Sequence, residues 1–186
     1  NSYESEYVTD VEIGMKADWD IMGIKARTNI DGLHDDYRNA QRAVGVQFDL
    51  IPGDSATANS TTVIANGDAT IQGIEFEGTL VPFDGFELTA SWSYDDARYD
   101  KFIIPTVGDR TDLPFPFVPK NKFGFTGRYT LPFVPSDWGT ATLSATYAHT
   151  GRIQYSTDQV EPYGDEPGYG LLDIRADWTD VGGYPV

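Results

Sequence analysis

Apolar and polar side chains alternate with a period of two over most of this chain, the pattern of strands with one apolar and one polar face. The alternation is clearest in a central pair of segments. Phe86, Leu88, Ala90, Trp92 and Tyr94 share one side, and Glu87, Thr89, Ser91, Ser93 and Asp95 the other. Just before them, Ile74, Phe76 and Leu80 oppose Glu75, Glu77 and Thr79. Between the two lies Pro82-Phe83-Asp84-Gly85; Pro82 cannot donate to a ladder and Asp84-Gly85 carries turn chemistry, so a hairpin is predicted. Earlier, Val11, Ile13, Met15, Ala17 and Trp19 alternate with Glu12, Gly14, Lys16 and Asp18, and after a tight connection at 20–23 Ile24, Ala26, Thr28 and Ile30 alternate with Lys25, Arg27, Asn29 and Asp31. A phase break at Gly32-Leu33 predicts a bulge, with the strand resuming as far as Phe48. Gly73 and Gly78 also read as bulges or kinks. Further alternating runs cover Lys120 to Leu131, Thr140 to Arg152 and Leu172 to Trp178. The best helical candidate, Asp35 to Ala43, is short and uncapped.

The pattern therefore predicts an all-β chain of about seven antiparallel strands. Connections alternate in length: short at 20–23, 82–85, 132–139 and 180–185, long at 51–62, 100–119 and 154–168. Pro105, Pro114, Pro116 and Pro119 exclude a ladder strand from the second long connection. Short turns at one end and long loops at the other are the signature of an up-and-down transmembrane β-barrel. Segments of about 10–14 residues suit tilted spanning strands, which need roughly 9–11. Trp19, Phe83, Phe86, Phe133, Trp138 and Trp178 cluster beside the short turns, and Tyr94, Tyr99, Tyr129 and Tyr147 lie at or within strands, as aromatic belts would. In such a barrel Ile74, Phe76, Leu88, Trp92, Phe125 and Leu143 are expected to face lipid, and Glu75, Glu77, Thr89, Arg128, Asp173 and Arg175 the lumen.

Composition narrows the partners. Acidic residues outnumber basic ones 29 to 13, a net charge of −16, which repels nucleic-acid phosphates. With 40% hydrophobic and 13% aromatic residues the acidity does not signal disorder. There is no Cys, in keeping with an exported protein, and no charge-poor apolar run of 18 residues or more that would make a transmembrane helix. No signal peptide opens the sequence.

Candidate chemistry is sparse. Glu75 and Glu77 stand two apart on one face, as general acid–base pairs can, but Lys25/Arg27 and Asp173/Arg175/Asp177 repeat the spacing, as charge ladders on a polar wall do. His34 and His149 are isolated, with no Ser or Cys constellation, and no metal site is expected from them. Asp158, Glu161, Asp165 and Glu166 match no calcium-loop spacing and read as a solvated loop. No catalytic residue, metal or cofactor is expected. Ligand contacts, if any, are expected from the long-loop side, where Arg38, Arg42, Tyr99, Lys101, Arg110, Arg152 and Tyr155 are the candidates, because loops on rigid scaffolds carry binding residues and Arg and aromatics anchor ligands.

Several stretches, in order, carry a family resemblance. Residues 66–102, NGDATIQGIEFEGTLVPFDGFELTASWSYDDARYDKF, resemble a hairpin of TonB-dependent outer-membrane receptors; so do Glu12 to Trp19 (EIGMKADW), Asp36-Tyr37-Arg38-Asn39, and Val118-Pro119-Lys120-Asn121-Lys122-Phe123. The resemblance implies a partial barrel over residues 1–186, with the plug domain and final strands absent. It implies an outer-membrane receptor importing a scarce solute, most commonly a ferric siderophore, with energy from the TonB complex acting through that plug. Its partners would be outer-membrane lipid, the TonB complex and the small-molecule ligand. A passive porin-like barrel and a secreted acidic β-sandwich binding module are the alternatives.

Overall fold

The computed structural model describes residues 5–105, 107–155 and 164–183. Asp158 and Glu161 of the acidic loop, and the end of the last turn at 184–185, lie outside them.

The strands are β1 (Tyr7–Ile21), β2 (Ile24–Asp49), β3 (Ala58–Phe83), β4 (Phe86–Ile104), β5 (Gly108–Asp109), β6 (Asn121–Thr130), β7 (Thr140–Thr150), β8 (Ile153–Gln154), β9 (Asp165–Glu166) and β10 (Tyr169–Thr179). Seven of them form one antiparallel meander, β1-β2-β3-β4-β6-β7-β10, with β5 pairing on β4. The alternation builds one long sheet and not two stacked ones, and β8 and β9 pair separately as a two-stranded ladder. The β1/β2 turn is Met22-Gly23, both with positive φ, the primed geometry whose twist suits a two-residue hairpin.

Register sorts the side chains into two faces. Ile13, Met15, Ile30, Ile74, Phe76, Leu88, Trp92, Phe125, Leu143 and Ile174 fall on one face, and Glu75, Glu77, Thr89, Arg128, Asp173 and Arg175 on the other. Among the described residues nothing packs over the apolar face at its edges: Ile13 is 80% and Ile174 76% exposed. On the polar face Arg27 pairs with Asp18 at 2.6 Å, Asn29 Nδ2 donates to Glu77 at 3.3 Å, and Thr126 and Thr146 bond across β6 and β7 at 3.0 Å. At the short-turn end Phe83 stacks on Phe86, and Trp178 Nε1 donates to the Trp138 carbonyl.

Three local expectations are corrected. Gly32-Leu33 is not a bulge: β1 and β3 both pair through it without a shift. The extra residue lies seven positions on, at Arg38-Asn39, where Asn39 takes φ 56° and donates its N–H to Asp68 Oδ1 at 3.1 Å. Asn tolerates that left-handed conformation, and a neighbouring carboxylate receives its freed donor. Gly73 and Gly78 likewise keep register with β2. Gly73 is small for another reason: a Cβ there would meet Asp95 Oδ1 at 2.9 Å and the Tyr94 carbonyl at 3.0 Å. Finally, β2 and β3 are each 26 residues long, so Ala58–Thr62 is strand and the first long connection shrinks to 50–57; Asp35–Ala43 is strand too. Thr61 and Thr62 are β-branched and pair with Val46 and Gly45, which suits strand better than their polarity suggested.

Candidate functional site

At roughly 3.3 Å per residue, β2 and β3 run far beyond the 9–11 residues that cross a bilayer. Their upper parts build the site. The bulge at Arg38-Asn39 changes the phase of β2, and a second extra residue, Asp100, changes the phase of β4. Above these points the polar side of the sheet becomes apolar. Val44, Val46, Ala65, Ala69, Tyr99, Phe102 and Ile104 share the face that lower down carries Glu75 and Glu77. Gly67 leaves room for the Phe102 ring, which a Cβ would meet at 2.8 Å.

The connection after β4 folds onto this face. Leu113 and Phe115 complete the buried cluster, and Tyr99 stacks between Phe102 (4.3 Å) and Phe115 (5.1 Å). The connection is also tied to the upper edge of β4, where Arg110 N–H donates to the Phe102 carbonyl at 2.8 Å, Phe102 N–H to Thr111 Oγ1 at 3.0 Å, and Arg98 bridges to Pro114. Thr111 also donates from its hydroxyl and backbone to Asp109, which holds that carboxyl below its usual range. The expectation that the prolines exclude a ladder strand from 100–119 is corrected: β4 runs on to Ile104, Gly108–Asp109 pairs with it as β5, and Pro114 itself bridges to Arg98.

Beside the folded connection lies a cleft of about 760 Å³, bounded by residues 95–98 of β4, residues 111–121, and residues 151–154 after β7. Its apolar lining includes Leu113, Phe115 and Val118, and its charged lining includes Asp96, Lys120 and Arg152. Next to it Phe117, 67% exposed with φ 65°, lies 5.9 Å from Tyr155, its N–H donating to the Gln154 carbonyl at 2.7 Å. A bulky residue in the left-handed region is strained, and the two long connections jointly hold it there.

The TonB-dependent receptor-like β-barrel family model matches residues 1–184. The chain belongs to this family. No curated protein and no solved structure matches it. A TonB-dependent receptor barrel sits in the bacterial outer membrane, is not an enzyme, and serves TonB-energised import of a ligand.

The receptor barrel brings few of the sequence-predicted contacts together. Arg152 borders the cleft and pairs with Asp165, and Tyr155 stands beside it against Phe117. Arg110 is half-buried and bonded to Asp112 at 3.3 Å. Arg42 lies over Phe115 on the side that carries the buried cluster, and Tyr99 is a correction: it is 3% exposed, core and not surface anchor, because the connection closes over it. Arg38 and Lys101 are exposed on the opposite face, away from Arg42. Asp96, Arg98, Asp112, Phe117 and Lys120 were not singled out from sequence; charged residues flanking a proline-rich connection were the available signal. Among the described residues no group of three His, Asp or Glu side chains converges as a metal site.

Proposed function

We propose that this receptor imports a ferric siderophore, taken first at the cleft between the two long connections. The observation that carries the reading is the cleft itself: preformed, with apolar and charged walls, and flanked by an exposed aromatic pair at the long-connection end. Concave sites with an apolar lining and a few placed polar groups are the usual form of small-molecule sites. In this reading the polar face, with Glu75, Glu77, Thr89, Arg128, Asp173 and Arg175, lines the lumen, and the face of Ile74, Phe76 and Leu88 meets lipid. Plugged outer-membrane transporters have 22 strands, so seven form an arc of the wall. The plug, and the TonB contact made through it, belong outside residues 1–186 in this proposal, as do the remaining strands.

The test is uptake of radio-iron, presented as hydroxamate, catecholate and carboxylate chelates, by cells with and without the receptor. Receptor-dependent uptake of at least one chelate, abolished when the proton-motive force is collapsed, is expected. Energised import of cobalamin or a saccharide, with no iron chelate taken up, removes the siderophore reading.

A further inference from the structure

The charges around the cleft are already spent on one another. Arg98, Lys120 and Arg152 line it, and so do Asp95, Asp96 and Asp112. Asp96 holds two of the cations, Lys120 Nζ at 3.1 Å and Arg98 Nη1 at 3.4 Å, while Arg152 pairs with Asp165. The Asp96 carboxylate keeps the Lys120 ammonium above its usual pKa, so that cation persists with its partner. Arg98 also reaches Asp100 at 3.8 Å, so an anion entering here would have to displace Asp96 from both cations and compete with Asp100 for Arg98.

Further down, the polar face is more hostile to anions. Asp10 stands directly opposite Asp35, and Asp31 directly opposite Glu75. Like charges in direct cross-strand positions repel, and they repel a passing anion equally. The chain as a whole carries −16, a field that slows the approach of anions and speeds that of cations. Phe117 and Tyr155 offer contact with no charge requirement.

Resting on the siderophore reading, we infer that the cleft takes ferric chelates with no net negative charge, neutral or cationic hydroxamate-type complexes, in preference to anionic catecholate-type ones. The test is equilibrium binding to the intact receptor in outer membranes. The probes are a cationic ferric tris-hydroxamate and a trianionic ferric tris-catecholate, each at two ionic strengths. The tris-hydroxamate is expected to bind about tenfold tighter or better, with its advantage shrinking as salt rises. Asp96→Asn frees Lys120 and leaves Arg98 only its longer contact to Asp100 at 3.8 Å, and is expected to erase most of that preference. Asp112→Asn, at the exposed rim, shifts it the same way by less, and carries the comparison if Asp96→Asn does not assemble. Equal or tighter binding of the tris-catecholate overturns the charge preference and leaves the siderophore reading standing. A preference unchanged in the Asp variants overturns the cleft as its source. A correctly inserted receptor that binds neither chelate overturns both.

Discussion

The guanidinium of Arg42 lies 5.1 Å from the centre of the Phe115 ring. One residue is on β2 and the other on the connection after β4, so this contact pins a loop to the sheet it follows. Phe115 also packs on Tyr99 and is 9% exposed. Phe115→Ala in the intact receptor is expected to cost about 3–5 kcal/mol locally. Limited proteolysis is the measurement: cleavage within 105–119 should accelerate strongly, while the rest of the barrel stays resistant. A cleavage rate equal to the unaltered receptor's would mean the connection is held by its edge contacts to β4 alone.

Leu88 and Thr89 are neighbours on opposite faces. If the apolar face meets lipid, Leu88→Arg should destabilise the receptor by roughly 2–4 kcal/mol and Thr89→Arg far less. Reversible unfolding in lipid measures both, and equal costs would contradict the assignment of faces.

Burial pushes the Tyr99 phenol above the ordinary tyrosine value, against the opposing effect of the Arg42 cation. A phenol with a raised folded pKa gives stability that is fully present below the unfolded value, about 10, and lost as pH rises through the folded one. The packed connection should therefore loosen only in strong alkali, and Tyr99→Phe should abolish that step. Protease sensitivity of 105–119 against pH, in both proteins, is the check.

Asn39 holds φ 56° at the β2 bulge. Asn39→Gly should be nearly neutral, whereas Asn39→Val should cost roughly 1–2 kcal/mol, because a β-branched residue resists the left-handed region. Thermal unfolding of the intact receptor separates the two; equal midpoints would show that the bulge relocates at little cost.

The strands were legible because one face of the sheet is apolar over long runs, as at Phe86–Tyr94, and periodicity needs little more. The upper hairpin was harder to read. From Ile71 upward the odd positions of β3 turn apolar while the strand continues without a break, and a change of pattern without a change of structure resembles a loop. The Gly32-Leu33 phase break misled in the opposite sense: Leu33 is an apolar residue on the polar face, not an extra residue. The cleft was hidden because it depends on long-range closure. Tyr99 looked like a loop-side anchor until the connection covered it, and the Asp96 clasp on Arg98 and Lys120 joins residues from either side of that same connection.

The two extra residues in β2 and β4 also set how this wall tolerates changes in chain length. Substitutions in the upper hairpin act one side chain at a time. Deleting one residue at Arg38-Asn39 would instead rotate everything beyond it in β2, turning Val44 and Val46 to solvent and Gln41 and Gln47 into the apolar cluster. Removing Asp100 would do the same to Phe102 and Ile104. A length change at 50–57, where the chain turns between β2 and β3, leaves every side chain on its face, whereas a single-residue gap at either of these positions does not.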